Sequence, residues 1–181
     1  MRSVIKQKNI MKSRLNSILI FTLLSLLTFS CFSEDSLYAK ANEKTVFGFD
    51  TSKGKKLTLS MDKNGNYIVY RYGTQDKVEL EFPDNKSRSY ELFTYSHYMR
   101  GGGAANSGMD LNWLRFQNGD YQFVIYDEMV AEGDIKKLGI KLIHQKTRKI
   151  IDIKGDVTSK QGSLVDFRFM DKVKKDSYQP D

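Results

Sequence analysis

From about residue 45 onward the chain alternates apolar and polar residues with a period of two, and no stretch sustains the 3.6-residue period of an amphipathic helix. Short strands are the consequence. In Lys77-Val-Glu-Leu-Glu-Phe82 the residues Val78, Leu80 and Phe82 face one way while Lys77, Glu79 and Glu81 face the other, which predicts a strand with one buried face. Similar runs predict strands at 45–49, 56–61, 66–72, 90–99, 109–116, 121–126, 138–144, 149–153 and 164–170. Asp62-Lys-Asn-Gly65, Gly73-Thr-Gln-Asp76 and Asn118-Gly119 read as turns between them, with Asn118-Gly119 as the central pair of a type I′ hairpin. Residues 127–137 hold four acids and read as an exposed loop or a single helical turn. About eight to ten short strands, with turns every 8 to 12 residues or so, predict an all-β fold, an antiparallel barrel or sandwich. Its core is expected to hold Val78, Leu80, Phe82, Phe116, Phe123 and Ile125.

The first 41 residues follow a different pattern. Lys12 and Arg14 precede an apolar run at 18–29, the layout of a signal peptide; it is shorter than the roughly 20 apolar residues that cross a bilayer. Met11 is an alternative start to Met1, since export does not need the polar extension before it. Small residues at positions minus 3 and minus 1 of a cleavage site occur in Cys31-Phe-Ser33 and again in Ala39-Lys-Ala41, so cleavage is expected between about 30 and 41. Residues 1–41 are therefore leader and junction, and 42–181 a single β domain, periplasmic or secreted. Acylation of Cys31 would instead make a membrane-anchored lipoprotein, although the preceding Thr28-Phe-Ser30 lacks the leucine usual at minus 3. Cys31 is the chain's single cysteine, so the mature domain has no disulfide and a core of about 140 residues has to hold the fold alone.

Composition adds aromatic weight and removes a nucleic-acid role. The 181 residues include 10 Tyr and 11 Phe, as suits a pleated, half-buried architecture. Of the formal charge of +7, residues 1–41 supply +4 (six Lys or Arg against Glu34 and Asp35), leaving +3 for the domain. Its cations are scattered among acids, and no basic stripe interleaves with stacking aromatics.

Candidate chemistry is sparse. With only His97 and His144 and no cysteine in the mature domain, neither a nucleophile triad nor a zinc site is expected, and no enzyme activity or cofactor is assigned. Asp62-Lys-Asn-Gly-Asn66 shares a fragment with calcium loops but lacks the later glutamate and carries Lys63, so it reads as a turn. Glu79 and Glu81 share an outward strand face without a partner base. His97 shares a face with Phe93, Tyr95 and Met99, which favours a packed or interface histidine. The triple glycine at 101–103 has no Lys-Ser/Thr ending and no following helix, so it is not a phosphate cradle.

The stretch that stands out is Arg100-Gly-Gly-Gly-Ala-Ala-Asn-Ser-Gly108, a backbone with little side-chain cover running into the hairpin 109–126. It reads as a presented contact loop, with Gly101, Gly102, Gly103, Asn106, Ser107 and Gly108 as partner-binding residues. Ser107-Gly108 followed by a strand and Phe116-Gln-Asn-Gly-Asp120 resembles the bacterial periplasmic and lipoprotein inhibitors of c-type lysozyme over roughly residues 60–127. Those carry Ser-Gly on a loop, then an aromatic, a spacer and Lys-Gly-Asp at a hairpin. Here Asn118 stands for the lysine, Leu111 near the family's tyrosine, and the interval is about three residues shorter. The resemblance implies an exported barrel whose Ser107 enters the lysozyme cleft, with Asn118 and Asp120 as further contacts and Asn118 lacking the lysine's charge. A different class of function, an adhesin-like or envelope interaction module, uses the same exported β domain and loop.

Overall fold

A computed structural model of the chain describes residues 38–180; the expected signal peptide and Cys31 lie outside the described residues. The domain is an all-β sandwich. Strands β1 (Glu43–Asp50), β2 (Lys55–Asp62), β3 (Ile68–Thr74) and β4 (Lys77–Phe82) form an antiparallel meander, the first sheet. The second continues through β5 (Thr94–Arg100), β6 (Met109–Asn118), β7 (Tyr121–Val130), β8 (Ile135–His144) and β9 (Ile150–Lys154). Two short strands then close the outer edges, β10 (Gln161–Gly162) beside β1 and β11 (Lys174–Asp176) parallel to β5. No strand joins the two sheets among the described residues, so the alternatives of barrel and sandwich resolve to a sandwich.

Alternation along the strands places one apolar layer between the sheets. Phe47, Phe49, Leu57, Leu59, Ile68 and Tyr70 from the first sheet meet Tyr95, Leu114, Phe116, Ile125 and Ile140 from the second. Phe116 is the hub: its ring stacks on Phe82 at 4.3 Å and on Phe123 at 4.7 Å between centroids, and tilts against Tyr70 at 5.0 Å and Phe93 at 5.4 Å. Of the six residues expected inside, Leu80, Phe82, Phe116, Phe123 and Ile125 join this core. Val78, half-buried like Leu80, does not join the core, because the register shift between Tyr72 and Gly73 pairs it with Gly73, one position out of step with the inward Tyr72–Leu80 pair.

Four local expectations change. The hairpin register pairs Asn118 with Tyr121, so the central residues are Gly119 and Asp120; Gly119 alone has positive φ (57°), the pattern of a type II′ rather than a type I′ turn. The strand expected over 90–99 begins only at Thr94, because Lys86–Leu92 forms a 3₁₀ segment whose first turn is capped by the Asn85 side chain. Residues 127–137 extend β7 and open β8 around one short 3₁₀ turn at Glu132–Asp134. The strand expected over 164–170 is a 3₁₀ helix, Leu164–Phe169, capped by Ser163, and it buries Leu164 and Phe167 at the i, i+3 spacing of that helix.

The outer face of the first sheet carries an unusual burial. Arg71 projects from β3 away from the core, yet it is fully buried. Its guanidinium donates to both carboxylate oxygens of Glu43 (2.5 and 3.0 Å), to Glu81 (2.7 Å) and to the Tyr38 carbonyl (3.1 Å). Tyr38 itself is buried, and its hydroxyl donates to the Thr74 carbonyl at 2.6 Å. Residues 38–41, expected in the junction, therefore lie strapped across the sheet. Burial pushes the Glu43 carboxyl up, but hydrogen bonds from Arg71, the Lys40 amide and the Tyr67 hydroxyl outweigh it and hold the pKa at about 2.

Breaking that pair leaves a buried carboxylate uncompensated, so Arg71→Ala is expected to cost about 3–5 kcal/mol in urea unfolding. A folded pKa of about 2 against an ordinary 4.5 means that this pairing stabilises the fold above pH 4.5 and is lost as the pH falls toward 2. Melting temperature should drop across that window, and Glu43→Gln should flatten part of the drop.

Candidate functional site

The glycine stretch is a folded knuckle. Gly103 and Ala104 accept backbone hydrogen bonds from Asn106 (3.3 Å) and Ser107 (3.1 Å), which closes a 3₁₀ turn over Ala104–Asn106. Arg100 at the end of β5 donates twice to the Ser107 carbonyl (2.9 and 2.6 Å), and the Asn106 amide donates to the Gly101 carbonyl at 3.2 Å. Ser107 takes the left-handed conformation (φ 46°) and its hydroxyl donates to Glu132 at 2.6 Å. Residues 101–106 are exposed and form the tip. Gly108 is buried at the base, where a Cβ would stand 2.9 Å from the Gly103 nitrogen and 3.0 Å from its oxygen. The knuckle leans on the β7–β8 connection through a hydrogen bond from Ala131 N–H to the Gly108 carbonyl (2.8 Å).

Asn118 and Asp120 stand elsewhere. Gly108 precedes β6 and Asn118 ends it, and ten residues of strand separate the two by about 30 Å. The partner-binding residues read from the sequence thus divide into two groups at opposite ends of the second sheet. His97 and His144 are likewise apart: His97 pairs in register with Asn112, while His144 faces Tyr121 beside the far hairpin.

Behind the knuckle, the inner face of the second sheet turns polar. Asp110 and Asn112 continue the inward-facing positions of Leu114 and Phe116 on β6, and Arg168 from the 3₁₀ helix donates to both (2.7 and 3.1 Å). Tyr95 donates its hydroxyl to Asn112 at 2.5 Å, and the Asn112 amide donates to Asp110 at 2.9 Å. One strand over, the Asp127 carboxylate accepts from Lys160 (2.6 Å), Ser163 (3.2 Å) and the Leu164 amide (3.3 Å). These bonds clamp residues 160–168 across β5, β6 and β7. His97 is exposed but stacks on Tyr95; partial desolvation and then the Arg168 charge lower its pKa, with Asp110 opposing.

Between this network and the knuckle lies a groove of about 250 Å³, lined by Met99, Arg100, Gly103, Gly108, Asp110 and Met129. Met99 is 62% exposed and Met129 40%, and Phe169, next to Arg168 in the chain, is 77% exposed. Of the other two Arg168 nitrogens, Nη1 meets only the Met99 sulfur at 3.6 Å, a weak acceptor, and the buried Nε has no hydrogen-bond partner among the described residues. Sequence reading missed Arg168, Met99 and Met129 as a group. Met99 was assigned to the right face, but Arg168 reaches it from 69 residues away, inside a segment read as a strand.

Among the described residues no three His, Cys, Asp or Glu side chains gather as metal ligands, and Tyr95, Asp110, Asn112 and Arg168 Nη2 are bonded to one another while Arg168 Nε is left without a partner. No protein-family model, curated protein or solved structure matches the chain.

Because Gly108 is packed against Gly103, Gly108→Val should lower stability by about 1–3 kcal/mol through overpacking. Ser107→Ala removes one exposed hydrogen bond and should cost under about 1 kcal/mol. Comparable losses in paired thermal melts would contradict this division of labour.

Proposed function

We propose that the protein is an exported binding domain that engages a protein partner through the knuckle and the methionine-lined groove beside it. The observation that carries this reading is the exposure of Met99 and Met129 at a groove walled by a knuckle that its own hydrogen bonds hold rigid. Exposed apolar side chains gathered at a concave rim mark interaction surfaces, and methionine adapts to a partner's shape. Export is supported by the basic and then apolar character of residues 12–29.

The resemblance to inhibitors of c-type lysozyme supplies the first class of partner to try, an enzyme that degrades the bacterial wall. In this chain the contact falls to the exposed backbone of residues 101–106 rather than to the Ser107 side chain, whose hydroxyl is committed to Glu132. Asn118 and Asp120 would be outside such a contact, given the length of β6.

The test is binding of the exported domain to a panel of c-, g- and i-type lysozymes and to envelope extracts. Met99→Glu combined with Met129→Glu should weaken the interaction by tenfold or more, the loss of about 1.4 kcal/mol, without moving the melting temperature. Full affinity in that double variant for every partner found would remove the groove from the contact.

A further inference from the structure

We propose that export processing cuts the chain before Tyr38, at the Cys31-Phe-Ser33 segment, and that residues 38–41 stay in the mature protein as part of its fold. This rests on the export reading above and selects between the two cleavage points that small-residue spacing leaves open.

The Tyr38 carbonyl accepts from three side chains of the first sheet: Thr58 Oγ1 at 3.0 Å, Ser60 Oγ at 3.0 Å and Arg71 Nη1 at 3.1 Å. All three donors are at most 4% exposed. The Tyr38 ring is itself buried, with its hydroxyl on the Thr74 carbonyl. Further along, the Lys40 amide donates to Glu43 at 3.1 Å, the Glu43 amide donates back to the Lys40 carbonyl at 2.8 Å, and Lys63 Nζ donates to the Ala41 carbonyl at 2.6 Å.

Hydrolysis of the bond after Ala41 would remove the Tyr38, Lys40 and Ala41 carbonyls, and with them the Tyr38 hydroxyl and Lys40 amide that donate to Thr74 and Glu43. The water adds across the peptide bond, the leader departs with the new carboxylate, and a new α-ammonium forms on Asn42. Arg71 would lose an acceptor and part of its cover while its charge stays on the sheet, and Thr58 and Ser60 would lose the partner they share. The new ammonium on Asn42 would also arise beside Lys63, which loses the Ala41 carbonyl as acceptor, placing like charges together. Loss of these hydrogen bonds and of the buried Tyr38 ring makes the Ala41 product the less stable of the two. A cut at the earlier segment leaves all of these contacts intact, whether it falls after Ser33 or before an acylated Cys31.

The experiment expresses the full chain with a C-terminal tag in an exporting bacterium and reads the intact mass and N-terminal sequence of the exported product. A start at Glu34, or at Cys31 with the added mass of acyl chains, is the expected result, and the two distinguish a free from a tethered protein. A start at Asn42 overturns this proposal while leaving export standing; an uncleaved cytosolic chain overturns both. In the same host, Ala41→Arg should leave the product's start unchanged, because the arginine spoils only the later site, whereas Cys31→Arg with Ser33→Arg should block processing. Loss of processing in Ala41→Arg alone would overturn the assignment.

Discussion

A fully buried guanidinium on the outside of a sheet is the constraint on which the first half of this fold depends. A charge in that position is tolerated only when its donors are satisfied, and Arg71 draws its partners from three directions: Glu43 at the start of β1, Glu81 on β4, and the Tyr38 carbonyl from the segment that enters the domain. Each partner ties a separate piece of chain to β3. Glu81 holds the edge strand, where Lys86 adds a second cation at 2.9 Å. Glu43 and Tyr38 hold the strap. The ordinary arrangement, with one apolar face in and one polar face in water, is thus altered on this sheet, whose outer face has a polar core of its own beneath residues 38–43.

The two sheets are joined by a different interaction. Aromatic rings from β3, β4 and β7, with Phe93 from the connection to β5, converge on Phe116 of β6, and their stacked and edge-on contacts fill the space between the layers without a disulfide. Toward the knuckle the same inner face gives way to Asp110, Asn112 and Asp127. Polar groups are stable at that depth because residues 160–168 fold over them and supply Lys160, Ser163 and Arg168 as partners. Their network fixes the floor of the groove in position.

Strand positions were legible because each is a short period-two run with a turn signal at its end; β4 begins and ends where the alternation does. What the sequence could not show was anything that depends on distant partners. Leu164-Val-Asp-Phe-Arg-Phe169 offers apolar residues at spacings of two and three, and only the contacts of Leu164 and Phe167 with the core decide for the 3₁₀ turn. Arg71 reads locally as one more polar residue in an alternating strand, with nothing nearby to say that residue 38 would cover it. At the knuckle, composition identified the right segment and misjudged its mechanics. Glycine content suggested freedom, and the hydrogen bonds of Arg100, Asn106 and Gly108 removed it. The separation of Asn118 from Ser107 follows from strand geometry alone, since an unbroken ten-residue strand carries its ends far apart.

That rigidity bears on how the surface can work. A flexible glycine loop loses conformational entropy when a partner orders it, roughly 1–2 kcal/mol for each backbone residue fixed, and seven or eight such residues would offset most of the gain from a small contact. In this chain the ordering has been completed during folding: Gly108 donates to the Gly103 carbonyl at 2.7 Å, and Arg100 holds the Ser107 carbonyl from the strand end. If the proposed contact is made, a partner would meet a preformed backbone edge, and binding free energy from Met99 and Met129 would not be spent on ordering the loop. Side-chain-poor residues at the tip then have a second consequence. With no long side chains on residues 101–105, close approach of a partner's backbone is limited only by the knuckle's own atoms, which suits insertion into a cleft better than docking against a flat face.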